Sequence, residues 1–223
     1  MAQPKQHHIA FLHTGRAHIA TFQTLMEELA PELSVHHTVN ESLLLHAQQF
    51  GEDEALFNNV KDALLAVTND AVLTVCTCSS IGSAAEQVAH SHGQNIMRID
   101  RAMADIAAQQ PRILVLAALE STLKPTRSLL ETSAKNHACS PEICYRVVEN
   151  AWLYFLAGDT DCYNRLISKA VDEQSAGYDV VVLAQASMAG AERLTTTTTP
   201  IHSSPRLGVQ AAINLFHKLG KPV

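Results

Sequence analysis

The feature that most constrains this chain is that it resembles itself. Ile9–Leu12 (IAFL) matches Ile113–Leu116 (ILVL), 104 residues on, and at that same offset Leu25, Met26 and Glu27 meet Leu129, Leu130 and Glu131. DAVLTVCTCSSIGSAAE, starting at Asp70, aligns with DVVVLAQASMAGAE, starting at Asp179; this offset of 109 sets Cys76 opposite Gln185. Ile96 and Arg101 match Ile201 and Arg206 at an offset of 105. Any alternation of strands and helices shows some internal likeness, but matched order at a near-constant offset points to duplication. Each half is short of a domain that buries its own faces comfortably, and two halves packed about a pseudo-twofold axis solve that problem.

Within each half, short apolar runs alternate with helical periodicity. Strands are expected at His8–His13, Leu33–Val39, Ala71–Val75, Asn95–Ile99, Arg112–Leu116, Ile143–Val148, Asp179–Leu183 and Pro200–Ser203. Helices are expected at Ala17–Leu29, Ser42–Phe50, Glu54–Val67, Gly82–His92, Ala102–Gln109, Leu123–Asn136, Ala151–Gln174 with a break at Gly158, and Pro205–Leu219, while Thr195–Thr199 reads as a loop. Hydrophobic residues make up 47% and aromatics only 5%, so Ala, Val, Ile and Leu carry the core. That bias suits parallel sheets covered by helices. The expected fold is α/β: two similar flavodoxin-like or Rossmann-like halves with parallel sheets around a central cleft. Residues 1–100 with 205–223 make the first half and 101–204 the second.

Charge and composition exclude several classes. With 16 basic against 22 acidic residues the net charge is −6, and no basic stripe with interleaved aromatics marks a nucleic-acid surface. No run reaches the roughly 20 apolar residues of a membrane span. MAQPKQHH at the N-terminus has no apolar signal region, so a cleaved leader is not expected. Five cysteines, Cys76, Cys78, Cys139, Cys144 and Cys162, are odd in number and irregular in spacing. They read as reduced thiols in a cytoplasmic protein rather than a disulfide framework, and the Cys76 and Cys78 pair has no second Cys/His cluster of ligand spacing to complete a metal site.

Ligands of parallel α/β sheets bind beyond the carboxyl ends of the strands. Here those ends are rich in small hydroxyl side chains: Thr14 beside His13; Thr77, Cys78, Ser79 and Ser80; Ser121 and Thr122; Gln185, Ala186 and Ser187; and His202 to Ser204. Some of these turns open helices, whose free N–H groups favour an anion, so a carboxylate or a developing oxyanion fits. The same hydroxyls equally suit helix caps, and His13 and His202 equally suit structural roles. The turns VCTCSSIG and HTGRAH hold one glycine each and make no phosphate fingerprint.

A strand leading into Cys-Thr-x-Ser and a helix, repeated about 105 residues later, resembles the aspartate/glutamate/hydantoin racemase superfamily, which includes maleate isomerase and arylmalonate decarboxylase. The likeness spans nearly the whole chain through VCTCSS and LAQASMAG, the latter closest to the hydantoin-type second-half motif. It implies cofactor-independent chemistry at an acidic α-carbon of a small carboxylate or carbonyl substrate, with a homo-oligomeric enzyme. In two-cysteine members one thiolate removes the α-proton and the opposite thiol returns one. By this alignment Cys76 takes the first thiol position, where a following helix N-terminus also favours thiolate. Gln185 holds the second position, so symmetric two-thiol racemisation is not expected. Cys78 is the competing thiol, or a supporting group. His13, Thr14, Thr77, Ser79, Ser121, Thr122, Gln185, Ala186, Ser187 and His202 are the candidate substrate contacts. A one-cysteine decarboxylase, a cis–trans isomerase and a catalytically silent carboxylate-binding protein remain open alternatives.

Overall fold

The computed structural model describes residues 8–220. The polar stretch before His8, on which the expectation about a leader rests, lies outside them, as do the last three residues. The chain divides into two compact units: residues through Ile99 with those from Pro205 onward, and Asp100–Ser204.

The first unit is built on β1 (His8–His13), β2 (Ser34–Val39), β3 (Leu73–Cys76) and β4 (Ile96–Arg98), joined by α1 (Ala17–Leu29), α2 (Glu41–Phe50), α3 (Glu54–Thr68) and α4 (Gly82–His92). All pairs are parallel, in the order β2-β1-β3-β4. β1 is central and every residue of it is buried, whereas the edge strand β2 alternates exposed and half-buried positions. A parallel strand covered on both faces must be apolar throughout, and an edge strand is relieved of that demand.

The second unit repeats the plan. It holds α5 (Arg101–Ala107), β5 (Arg112–Ala117), α6 (Leu123–Asn136), β6 (Glu142–Val147), α7 (Ala151–Leu156), α8 (Thr160–Gln174), β7 (Val180–Leu183) and β8 (Ile201–Ser203). Its sheet is also fully parallel, in the order β6-β5-β7-β8. The shared strand order is the two-half α/β architecture that the internal repeat implies.

The long helix expected after residue 151 breaks where Gly158 takes φ of +74°, and Asp159 restarts it by accepting from the Cys162 N–H at 3.0 Å. The five-threonine loop is pinned by Asp172, whose carboxylate accepts from the Thr196 and Thr197 N–H groups at 2.8 and 2.9 Å. The last helix, α9 (Ser204–Leu219), returns to the first unit, burying Val209, Ala212, Ile213 and Phe216. Gly208 lies so close to the Ile99 carbonyl oxygen that no Cβ would fit.

Backbone hydrogen bonds fix how the halves correspond. Leu12 pairs with Cys76, and Leu116 pairs with Leu183. The Thr77 N–H donates to Leu12 as the Ala184 N–H donates to Leu116. Cys76 therefore corresponds to Leu183, a separation of 107 (183 less 76), and Cys78 corresponds to Gln185. This corrects the offset of 109 read from sequence. Matching Asp70 to Asp179 slides the first half by two residues, and a two-residue slip preserves the inward–outward alternation of a strand, so hydropathy does not reveal it.

Candidate active site

In a sheet of order 2-1-3-4 the connections reverse direction between the first and third strands, and the crevice beyond their carboxyl ends is the ligand position. In the first unit that position holds His13 at the end of β1 and Thr14 after it, and Thr77, Cys78, Ser79 and Ser80 after β3. In the second it holds Ala118 and Leu119 after β5, and Ala184, Gln185, Ala186 and Ser187 after β7.

The two-residue shift separates the two cysteines by environment. Cys76 is the last residue of β3, fully buried among Leu12, Leu43, Leu56, Val60 and Ala85. It is a core side chain at that place, the common fate of a buried cysteine. Cys78 follows the strand in extended backbone (φ −104°, ψ 119°), is partly exposed, and immediately precedes a 3-10 turn over Ser79–Ile81 that runs into α4. Gln185 has the same conformation (φ −120°, ψ 141°) ahead of the 3-10 stretch Ala186–Leu194. None of the five cysteines is in a disulfide.

His13 is drawn into this position by two partners. Its Nδ1 lies 2.8 Å from Thr77 Oγ1, and its Nε2 lies 2.8 Å from His37 Nδ1 on β2. Burial, with His37 and His18 adding to it, pushes its pKa down to about 3, so the ring is neutral at physiological pH. Burial also lowers His37 and His18. The Thr77 hydroxyl is committed to His13 and to the Leu12 carbonyl at 3.1 Å, which places it among the internal hydrogen bonds of the site. Thr14, Ser79 and Ser80 are buried beside it.

In the second unit Gln185 folds back on the main chain. Its Oε1 accepts from the Ala118 N–H at 2.6 Å and the Leu119 N–H at 3.3 Å, so only its Nε2 end remains to offer a ligand. Ser187 Oγ lies 2.7 Å from Tyr163 OH, and burial pushes that phenol up. Ala186 is buried. Thr122 is buried, and Ser121 Oγ is buried with no hydrogen-bond partner among the described residues. His202 is not brought to this position: it sits within the edge strand β8, opposite Val182, one strand removed from the β5–β7 crevice.

Three residues escaped the sequence reading. His37 falls within the expected strand Leu33–Val39, and only the β1–β2 pairing puts it against His13. Tyr163 came from α8, far away in sequence. Arg98, at the end of β4, is 2% exposed with its guanidinium under Gly82 at the start of α4 and 3.4 Å from Glu86. Its signal was present: an arginine closing an apolar strand just outside a proposed anion site. Among the described residues no group of three or more His, Cys, Asp or Glu is arranged to hold a metal, and no helix is long and apolar enough to cross a membrane.

No protein-family profile matches the chain, and no curated protein matches it by sequence. Solved structures do match it, over nearly its whole length. Glutamate racemase from Francisella tularensis, solved in complex with D-glutamate, superposes with a TM-score of 0.73 at 9% identity, covering 97% of this chain and 84% of that one. Aspartate racemase from Picrophilus torridus gives 0.66 at 13% identity, with 94% of each chain covered. Arylmalonate decarboxylase gives 0.58 at 14% identity, covering 96% of this chain and 93% of that one. The fold is thus the one these racemases and this decarboxylase share.

Proposed function

We propose that the protein is a cofactor-independent enzyme acting at the acidic α-carbon of a small carboxylate, through a single thiol, Cys78. The observation that carries this is the correspondence of Cys78 with Gln185 at the two strand-crossing positions, one in each half. It supports one thiol where a symmetric racemase would use two, and it moves the assignment from Cys76 to Cys78. The D-glutamate in the Francisella structure supports a small carboxylate as ligand class. Thr14, Ser79 and Ser80 are the hydroxyls we assign to the substrate carboxylate, with the helix opening after Cys78 favouring negative charge. The thiolate removes the α-proton, or its thiol form protonates one face of the enolate; the other carbon–proton step falls to a second group.

A second reading has its own support. Because the Gln185 carboxamide occupies the Ala118 and Leu119 N–H groups, the second half has spent donors that could hold an oxyanion. A carboxylate-binding protein without turnover fits that arrangement.

Incubation in D₂O with aspartate, glutamate, a hydantoin, maleate and a phenylmalonate, followed by NMR, separates the readings. Exchange, isomerisation or decarboxylation should disappear in Cys78→Ala and persist within a few-fold in Cys76→Ala. Loss in Cys76→Ala alone would return the chemistry to that residue. Thermal stabilisation by a carboxylate without any α-proton exchange would establish the binding protein.

A further inference from the structure

Five side chains of the first unit are joined end to end. Thr77 Oγ1 meets His13 Nδ1 at 2.8 Å, His13 Nε2 meets His37 Nδ1 at 2.8 Å, His37 Nε2 meets Gln23 Oε1 at 3.1 Å, and Gln23 Nε2 donates to Glu27 at 2.7 Å. The series runs from a fully buried ring, through a half-buried one, to an exposed carboxylate on α1. Phe11 and Phe22 flank His13, with ring centroids 6.0 and 5.5 Å away.

The outer end has a fixed polarity. The Glu27 carboxylate only accepts, so Gln23 must turn its Nε2 there and its Oε1 towards His37. His37 therefore carries a hydrogen on Nε2. At the inner end the Thr77 hydroxyl can donate either to His13 Nδ1 or to the Leu12 carbonyl. Three complete arrangements satisfy these bonds, one neutral and two that carry one further proton; of those two, burial opposes the one that charges His13, which leaves the pair described next. In the first, Thr77 donates to His13, His13 donates through Nε2–H to His37, and both rings are neutral. In the second, Thr77 donates to Leu12, His13 donates through Nδ1–H to Thr77, and His37 is an imidazolium donating from both nitrogens.

We propose that His13 and His37 form a one-proton store, coupled through Thr77 to the position held by Cys78, and that this store is the second proton-transfer group beside that thiol. The inference rests on the carbon-acid reading above and supplies what Gln185 cannot. The steps balance. A proton released at the site enters at Thr77 Oγ1; the hydroxyl passes its own hydrogen to His13 Nδ1; the His13 Nε2 hydrogen passes to His37 Nδ1. One positive charge then rests on His37, and the reverse hops return the proton. The titratable groups around the pair are His18 and Glu27 on α1 and His36 on β2. Charge on His18 or His36 opposes the stored proton, and Glu27, through Gln23, favours it.

The test follows the side-chain nitrogens of the histidines by ¹⁵N NMR in the full-length protein as pH is lowered from 8. The expected result is two neutral rings with hydrogen on Nε2. As His37 then charges, His13 stays neutral and switches to Nδ1–H with the same midpoint. A His13 that keeps its tautomer while His37 titrates, or that charges first, overturns the store. In the D₂O assay, His37→Phe should lower the deuterium-incorporation rate about 100-fold with KM within about twofold, and added imidazole should restore it. An unchanged rate would remove the store from the reaction. Absence of turnover in the wild-type protein would count against the carbon-acid reading, and with it the store's role in catalysis, while the tautomer measurement still decides whether the store exists.

Discussion

At the scale of single residues, His13 ties structure to pH. Its ring is neutral in the fold because burial holds its pKa near 3, whereas an unfolded chain protonates it near 6.5. The unfolded state therefore binds the extra proton, and stability is lost as pH falls below about 6.5, until about 3. At pH 5 this group alone costs roughly 2 kcal/mol relative to pH 7.5. Urea unfolding at the two pH values should show the loss, and His13→Asn should shrink the difference between them; an unchanged difference would mean the ring is not held neutral. Gln185 offers a second residue-scale test. Gln185→Ala strips the Ala118 N–H of its acceptor in a buried place, which should cost about 1–3 kcal/mol. Gln185→Glu keeps an acceptor there and should retain most of the stability. Equal losses in the two variants would show that the 2.6 Å bond contributes little.

Elements carry the next set of constraints. α9 crosses the end of β4 at Gly208, where hydrogen is the largest substituent the Ile99 carbonyl tolerates. Gly208→Ala should destabilise the first unit by about 3 kcal/mol or more, despite the better helix propensity of alanine. A thermal midpoint at or above that of the wild type would contradict this packing. The exposed bidentate pair between Arg206 on α9 and Glu28 on α1, at 2.9 and 2.7 Å, is worth far less. The strands were legible in the sequence because central parallel strands are apolar on both faces, as in RILVL and DVVVL. The break between α7 and α8 was legible because Gly158 can take a positive φ. The nine-residue 3-10 stretch after β7 was not, since Ala, Ser, Met and Gly in ASMAGAERL fit a turn as well as a helix.

For the whole molecule, the first unit is discontinuous: its sheet is complete by β4, yet α9 arrives only after the second unit has been made. Deleting the residues from Pro205 onward should therefore weaken the first unit selectively. Hydrogen exchange should show protection lost in β1, β3 and β4 and kept in β5 and β7. Equal loss in both sheets would mean that the units do not unfold separately.

The sequence alone determined the alternation of strands and helices, the doubling of one plan, and the strand ends at which a site could form. Those follow from hydropathy period and chain order, which are local properties. Tertiary structure decided the register between the halves, and with it that Cys78, not Cys76, corresponds to Gln185. A two-residue slip leaves the pattern of a strand unchanged and is fixed only by hydrogen bonds to the neighbouring strand. It also decided the partnership of His13 with His37 and Thr77, because β1, the neighbouring β2 and the turn after the neighbouring β3 supply residues that lie 24 and 64 positions apart in sequence.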